Sequence, residues 1–183
     1  MKRIKEINEK FNDDLKKQIE GSLVKQHTYN LGTPSAILQS AGIPNLPIEL
    51  RASRLREKAM QDTHPFDLRE IMDLPIAVHN PLAIFRSATH LEYYVIMTGL
   101  KHRDENFIVA LQINKYNETN SIRSIYPKSN NHLINWIDDG LLEYVDKLKT
   151  VEWLSKQRSN SADVKKQLNR TAKVIQIFEN AKF

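Results

Sequence analysis

Residues 107–114 read Phe107-Ile108-Val109-Ala110-Leu111-Gln112-Ile113-Asn114. Side chains alternate along an extended chain, so Phe107, Val109, Leu111 and Ile113 fall on one side of it. Ile108, Ala110, Gln112 and Asn114 fall on the other side, which turns polar toward its end. That alternation predicts a strand with one strongly apolar face. Three further runs have strand character: Leu82–Ser87, Tyr93–Leu100 and Ser121–Tyr126. The connections Lys101–Asn106 and Lys115–Asn120 are short and polar, as hairpin loops are. Consecutive strands joined this way form an antiparallel meander rather than βαβ units.

Helical signals flank the meander. Ile4, Ile7, Phe11, Leu15, Ile19 and Leu23 recur every three or four residues with charges between them, which predicts an amphipathic helix over 3–24. Gly21 or the stretch 29–32 ends it. Thr33-Pro34 reads as an N-cap with proline at the first helical position, opening a short helix closed by Gly42. Ile43–Pro47 is too proline-rich for a helix interior and predicts an extended connector, continuing as a short strand at Ile48–Leu50. Residues 52–61 are good helix formers that Ser53 could cap. A second short helix is expected at Pro65–Met72, ended by Pro75. After the meander come a helix at Asn131–Asp139, a fifth short strand at Leu141–Val145 and a helix at Lys147–Lys156. A polar linker follows at Gln157–Arg170, then an apolar patch of Val174, Ile175, Ile177 and Phe178.

The expected class is therefore α+β, with N-terminal helices packed on a four- to five-stranded antiparallel sheet and helices at the C-terminal end. We divide the chain into an N-terminal helical extension (1–50), a central domain (51–157) and a linker with tail (158–183). At 183 residues, 40% of them hydrophobic, it is long enough for one cored domain. It contains no cysteine, which removes disulfides, thiolate metal sites and cysteine nucleophiles. The charged N-terminus has no apolar run of signal-peptide type, and no stretch reaches transmembrane length, so the expectation is a cytosol-acting protein without a membrane partner. A net charge of +5 favours an anionic partner such as RNA.

Several familiar chemistries are missing. There is no phosphate-binding P-loop, no dinucleotide glycine fingerprint, no metalloprotease helix motif and no nucleophile elbow. The histidines are His27, His64, His79, His90, His102 and His132, and none pair at metal-ligand spacing on one helix face, so neither a metal nor another cofactor is expected. His64 follows a basic helix (Arg51, Arg54, Arg56, Lys58) and precedes Pro65, which fixes the local backbone. It reads either as an acid–base group, its ordinary pKa being near neutrality, or as a helix-terminal histidine with a purely local role. Arg54 and Lys58, four residues apart, share one side of their helix and could hold a phosphate, or simply form a solvated face. Ser124 and Tyr126 are expected on the same strand face as Ile122, with Thr98 and Asn114 on neighbouring strands. That polar group is either a substrate floor or a set of edge positions facing water, and Ser87 and Thr89 share the ambiguity. Trp136 and Trp153 lie in apolar helical patterns and read as packing residues.

The order of short motifs from Lys58 to Leu154 resembles the C-terminal domain of phage MuF-type proteins, within the barnase–EndoU–colicin–RelE-like nuclease superfamily. The resemblance is carried by His64-Pro65 with Leu68, Leu74-Pro75, and Asn80-Pro81-Leu82-Ala83-Ile84-Phe85 with Ser87. It continues through Val95-Ile96-Met97-Thr98, Phe107–Asn114, Ser121-Ile122-Arg123-Ser124-Ile125-Tyr126-Pro127-Lys128, Trp136-Ile137 and Leu142–Trp153. It implies helices on a four- or five-stranded antiparallel sheet and metal-independent RNA cleavage, often as a toxin. RNA (tRNA or rRNA) and a cognate immunity protein are the partners it implies. Under that implication His64 acts as acid or base, and Arg54 and Lys58 hold the phosphate. Ser124, Tyr126 and Thr98 position the scissile group, with Ser87 and Asn114 on the same floor, and Lys128 contacts the RNA backbone. The other reading is a non-catalytic protein- or nucleic-acid-binding module of a phage or mobile element.

Overall fold

The structure is a computed structural model that describes residues 2–157. Its first helix, α1 (Lys2–Glu20), buries Phe11 and Leu15 from the predicted apolar stripe. Gly21 stops it. With φ at 78°, this glycine takes the left-handed conformation of a helix C-terminus, and Ser22 N–H donates to the Lys17 carbonyl at 2.9 Å. The helix therefore ends before Leu23, short of the expected 24.

Seven strands follow: β1 (Thr28–Asn30), β2 (Ile48–Arg51), β3 (Ala83–Arg86), β4 (Tyr93–His102), β5 (Glu105–Asn114), β6 (Thr119–Lys128) and β7 (Leu142–Val145). They form one sheet in the order β1-β2-β6-β5-β4-β3-β7. The meander β3 to β6 is antiparallel as predicted, and β7 adds antiparallel to β3. The expectation of four to five antiparallel strands is corrected in two ways. β1 was missed, because three residues are too few to display a period. β2 pairs with β6 in parallel, Ile48 opposite Asn120 and Glu49 opposite Ser121, so the sheet is mixed. Residues 1–50, read as a helical extension, thus contribute two strands to the same sheet.

Helix boundaries shift for local reasons. α2 (Ala36–Ser40) is capped by Ser35, whose hydroxyl accepts from Leu38 N–H, and not by Thr33. α3 (Ala52–Ala59) takes Arg51 as its N-cap without a side-chain bond, leaving Ser53 inside the first turn. Only a short 3₁₀ helix, Leu68–Ile71, forms where a helix over 65–72 was expected. Pro75 opens α4 (Leu74–His79) instead of ending a helix, consistent with proline's tolerance in a first turn. α5 (Asn130–Asp138) and α6 (Lys147–Gln157) fall close to expectation. The polar linker and apolar patch read beyond residue 157 lie outside the described residues.

Both faces of the sheet are covered. Phe11, Leu15, Leu55, Leu74 and Val78 pack with Ile84, Ile96, Val109 and Ile125, which sit side by side on four adjacent strands. On the opposite face Leu133, Ile134, Ile137 and Trp153 pack with Ala83, Phe85, Met97 and Ile108. This double burial explains why β5 is apolar on both sides at Phe107–Val109. Each such side chain removed from water contributes about 1.5–3 kcal/mol. Toward residue 114 the second face is left partly open, and there Gln112 and Asn114 are half-buried.

A bulge in β6 decides which residues reach that second face. Ala110 pairs with Ser124 and Leu111 with Ile122, so Arg123 is an extra residue. The expectation that Ser124, Tyr126 and Ile122 share a face is corrected accordingly. Ile122 joins the first core with Ile125, while Tyr126 packs on the second.

Candidate functional site

α3 ends at Ala59, and the chain then makes a loop pinned at both ends. His64 N–H donates to the Gln61 carbonyl at 3.2 Å, and Phe66 N–H donates to the Ala59 carbonyl at 3.2 Å. The Phe66 ring is buried edge-on against Phe107 of β5, with centroids 5.0 Å apart. Between these anchors His64 is exposed. Its ring stacks on Tyr126 of β6 at 5.5 Å between centroids and 22° between planes. Among the described residues neither ring nitrogen of His64 has a hydrogen-bond partner, so both are available to a ligand.

The loop faces the β4–β5 hairpin across a cleft of about 640 Å³, bounded by Thr63–Asp67 on one side, by His102–Glu105 on the other, and by Pro127. His102 and Glu105 close the hairpin as a pair, with Arg103 in the turn at φ 53°. A non-glycine residue there costs about 1–3 kcal/mol and is found preferentially at functional sites. Pro127 is tolerated in β6 because β2 pairs only with Asn120 and Ser121, so its missing N–H falls where β6 has lost that neighbour.

A second histidine meets this cleft. His102 Nδ1 lies 2.9 and 3.0 Å from the two carboxylate oxygens of Glu70. The same carboxylate accepts from Asp67 N–H at 3.0 Å, and Asp67 caps the 3₁₀ helix by accepting from Arg69 N–H at 2.8 Å. Glu70 therefore ties the loop, the 3₁₀ helix and the hairpin together. Sequence reading assigned His102 no role. The two partners are 32 residues apart and on different elements, so no spacing rule pairs them.

The anticipated site residues separate into three groups. Ser124, Tyr126 and Lys128 alternate along one face of β6, opposite Ala110, Ile108 and Asn106. Ser124 is half-buried, and its hydroxyl has no partner among the described residues; the same holds for the Tyr126 hydroxyl. Burial raises the Tyr126 phenol above its ordinary value, so it remains a neutral donor. Lys128 Nζ sits 5.8 Å from the Tyr126 ring centroid and 5.6 Å from that of Trp136, and it has no carboxylate partner among the described residues. With His64 these residues form a contiguous group.

The second group is engaged elsewhere in the fold. Thr98 is fully buried; its hydroxyl donates to the Phe107 carbonyl at 2.9 Å and accepts from Leu100 N–H at 3.3 Å. The Ser87 hydroxyl accepts from Thr89 and His90 N–H and holds the β3–β4 turn. Asn114 Oδ1 accepts from Asn117 N–H in the next turn. The third group is Arg54 and Lys58. They lie one turn apart on α3, but Arg54 Nη1 contacts both Glu57 oxygens at 3.0 and 3.1 Å, and Lys58 Nζ lies 3.2 Å from Gln61 Oε1 and 3.7 Å from Glu57. Among the described residues no cluster of three or more His, Asp or Glu side chains is placed to hold a metal ion, and no helix is long and apolar enough to cross a membrane.

The fold and cleft define an α+β domain with a mixed sheet and a cleft lined by two histidines, one from the loop after α3 and one from the β4–β5 hairpin. Residues 55–152 match the family described as phage MuF-C-terminal domain, which covers more than half of the chain. The chain belongs to that phage MuF C-terminal domain family. No curated protein and no solved structure matches it.

Proposed function

We propose that this domain is a metal-independent ribonuclease of the barnase–EndoU–colicin–RelE-like type, in which the RNA 2′-hydroxyl attacks the adjacent phosphate. The observation that carries the reading is the His64–Tyr126 stack, because it holds an imidazole with both nitrogens free against a tyrosine that shares its strand face with the unpaired Ser124 hydroxyl and is approached by the Lys128 ammonium. In-line transesterification needs a proton acceptor, a proton donor and positive charge near the phosphoryl oxygens. His64 supplies one of the proton-transfer groups. Lys128 supplies charge at the phosphate, and Ser124 and Tyr126 donate hydrogen bonds that position the scissile group. Arg54 and Lys58 serve RNA further along the strand once Glu57 exchanges them. In this reading the domain acts in a cytosol as a toxin-type effector on tRNA or rRNA, restrained by a cognate immunity protein.

One observation favours a non-catalytic binding module instead: the α3 cations are already partnered by Glu57 and Gln61, so they form no ready phosphate clamp. The test is incubation of the purified protein with total RNA in excess EDTA, wild type beside His64→Ala. The ribonuclease reading expects cleavage that survives EDTA and is lost in the variant. Intact RNA from folded wild-type protein moves the assignment to the binding module.

A further inference from the structure

Resting on the ribonuclease reading, we infer that His102, oriented by Glu70, is the general base of the reaction, which leaves His64 as the general acid. A carboxylate only accepts hydrogen bonds, so the contact at 2.9 Å places the proton of a neutral His102 on Nδ1. Nε2 then carries the lone pair, and His102 lines the cleft that His64 also lines. A carboxylate behind an imidazole does two things: it fixes the ring's orientation, and it stabilises the imidazolium that forms when the ring takes a proton. The His64 ring has no such carboxylate among the described residues and is oriented by stacking. The two rings are therefore unlike in their surroundings, and a base and an acid are the two unlike roles the chemistry requires.

The step balances. His102 Nε2 takes the 2′-hydroxyl proton while the 2′-oxygen bonds to phosphorus. The bond from phosphorus to the 5′-oxygen breaks, and the His64 imidazolium gives its proton to that oxygen. The products are a 2′,3′-cyclic phosphate and a 5′-hydroxyl, with one proton moved from His64 to His102 overall. Glu70 is a positioning residue here, since it touches His102 and not the RNA.

The experiment uses the full chain and measures kcat and KM for RNA cleavage in EDTA for wild type, His64→Ala, His102→Ala, Glu70→Gln and, as a control outside the cleft, His90→Ala. His102→Ala is expected to lower kcat by about a hundred- to ten-thousand-fold, the usual loss of an acid–base group. Added imidazole is expected to restore part of that activity while leaving the wild type unchanged, which a merely structural role would not produce. Glu70→Gln retains an acceptor for Asp67 N–H, so the loop keeps its cap. It is expected to lower kcat at least about tenfold with KM nearly unchanged, because an amide can set the wrong histidine tautomer. His90→Ala is expected to match the wild type. If His64→Ala is inactive while His102→Ala and Glu70→Gln keep wild-type kcat, the inference is overturned and the ribonuclease reading stands. If folded wild-type protein cleaves no RNA, both fail.

Discussion

The His64 and Tyr126 rings lie 5.5 Å apart and within 22° of parallel, although one belongs to a loop and the other to strand β6. Stacking fixes the plane of the imidazole without using either nitrogen. It therefore orients a proton-transfer group at no cost to its chemistry. Tyr126→Phe keeps the ring and loses the hydroxyl's hydrogen bond to the scissile group, so kcat is expected to fall only about two- to fivefold. Tyr126→Ala removes the platform, and kcat is expected to fall about tenfold or more, as misplacement of a reacting group does. Steady-state kinetics on the two variants check this. Equal loss in both would mean that the hydroxyl, not the stack, matters.

Phe66 is what holds the His64 loop to the sheet, through its edge-on contact with Phe107. Phe66→Ala is expected to cost about 3–5 kcal/mol, the range for a buried phenylalanine. A urea titration measures it. A loss under about 1 kcal/mol would show that the loop is anchored by its backbone bonds instead.

Asp73 reports on how α1 is joined to α4. Its backbone is left-handed at φ 64°, and its carboxylate accepts from Asn8 Nδ2 at 2.6 Å and Asn12 Nδ2 at 2.8 Å. Those bonds, Asn8 first, hold the carboxyl below its ordinary 3.8 against the opposing effect of burial. A depressed carboxyl stabilises the fold above 3.8, and the contribution is lost as pH falls through the lower folded value. Asp73→Asn keeps the turn but removes the charge. It is expected to lower stability by about 1 kcal/mol near pH 6 and to flatten the fall below pH 4. Urea midpoints at the two pH values decide it.

His79 has the opposite partner logic. Its Nε2 lies 2.7 Å from the Leu31 carbonyl, so the neutral ring donates there. Burial pushes its pKa below 6.5, and the carbonyl only partly opposes that. The unfolded chain takes the proton first, so stability falls as pH drops below about 6.5 and levels off once the folded histidine is also protonated. His79→Gln is expected to remove that slope between pH 7 and 5. Persistence of the slope in the variant would assign it to another group.

The meander was legible in the sequence because β4, β5 and β6 are long, and one side of β5 is apolar at every second residue from Phe107 to Ile113. What could not be read depends on contacts between distant residues or on a single inserted one. The parallel pairing of Ile48 with Asn120 is a relation across 72 positions, and β1 is too short to show a period. Proline 75 has the same signature at the start of one helix as after the end of another. Arg123 shifts β6 by one residue without any local mark, and that shift puts Ser124 and Tyr126, but not Ile122, on the second face. Of the candidate site, His64 was legible from Pro65 and the basic helix before it. The engagement of Thr98, Ser87 and Asn114 within the fold, and the Glu70–His102 contact, appear only once the strands are paired.

The most direct test of the central claim is the chemistry of the cut ends. A short RNA and the same sequence with 2′-deoxyribose at each position would be incubated with the wild-type protein in EDTA, and the products weighed by mass spectrometry. The expected products are RNA fragments ending in a 2′,3′-cyclic phosphate, with the deoxy strand intact. Cleavage of the deoxy strand, or RNA fragments lacking the cyclic phosphate and its hydrolysis product from the first time point, would contradict attack by the 2′-hydroxyl.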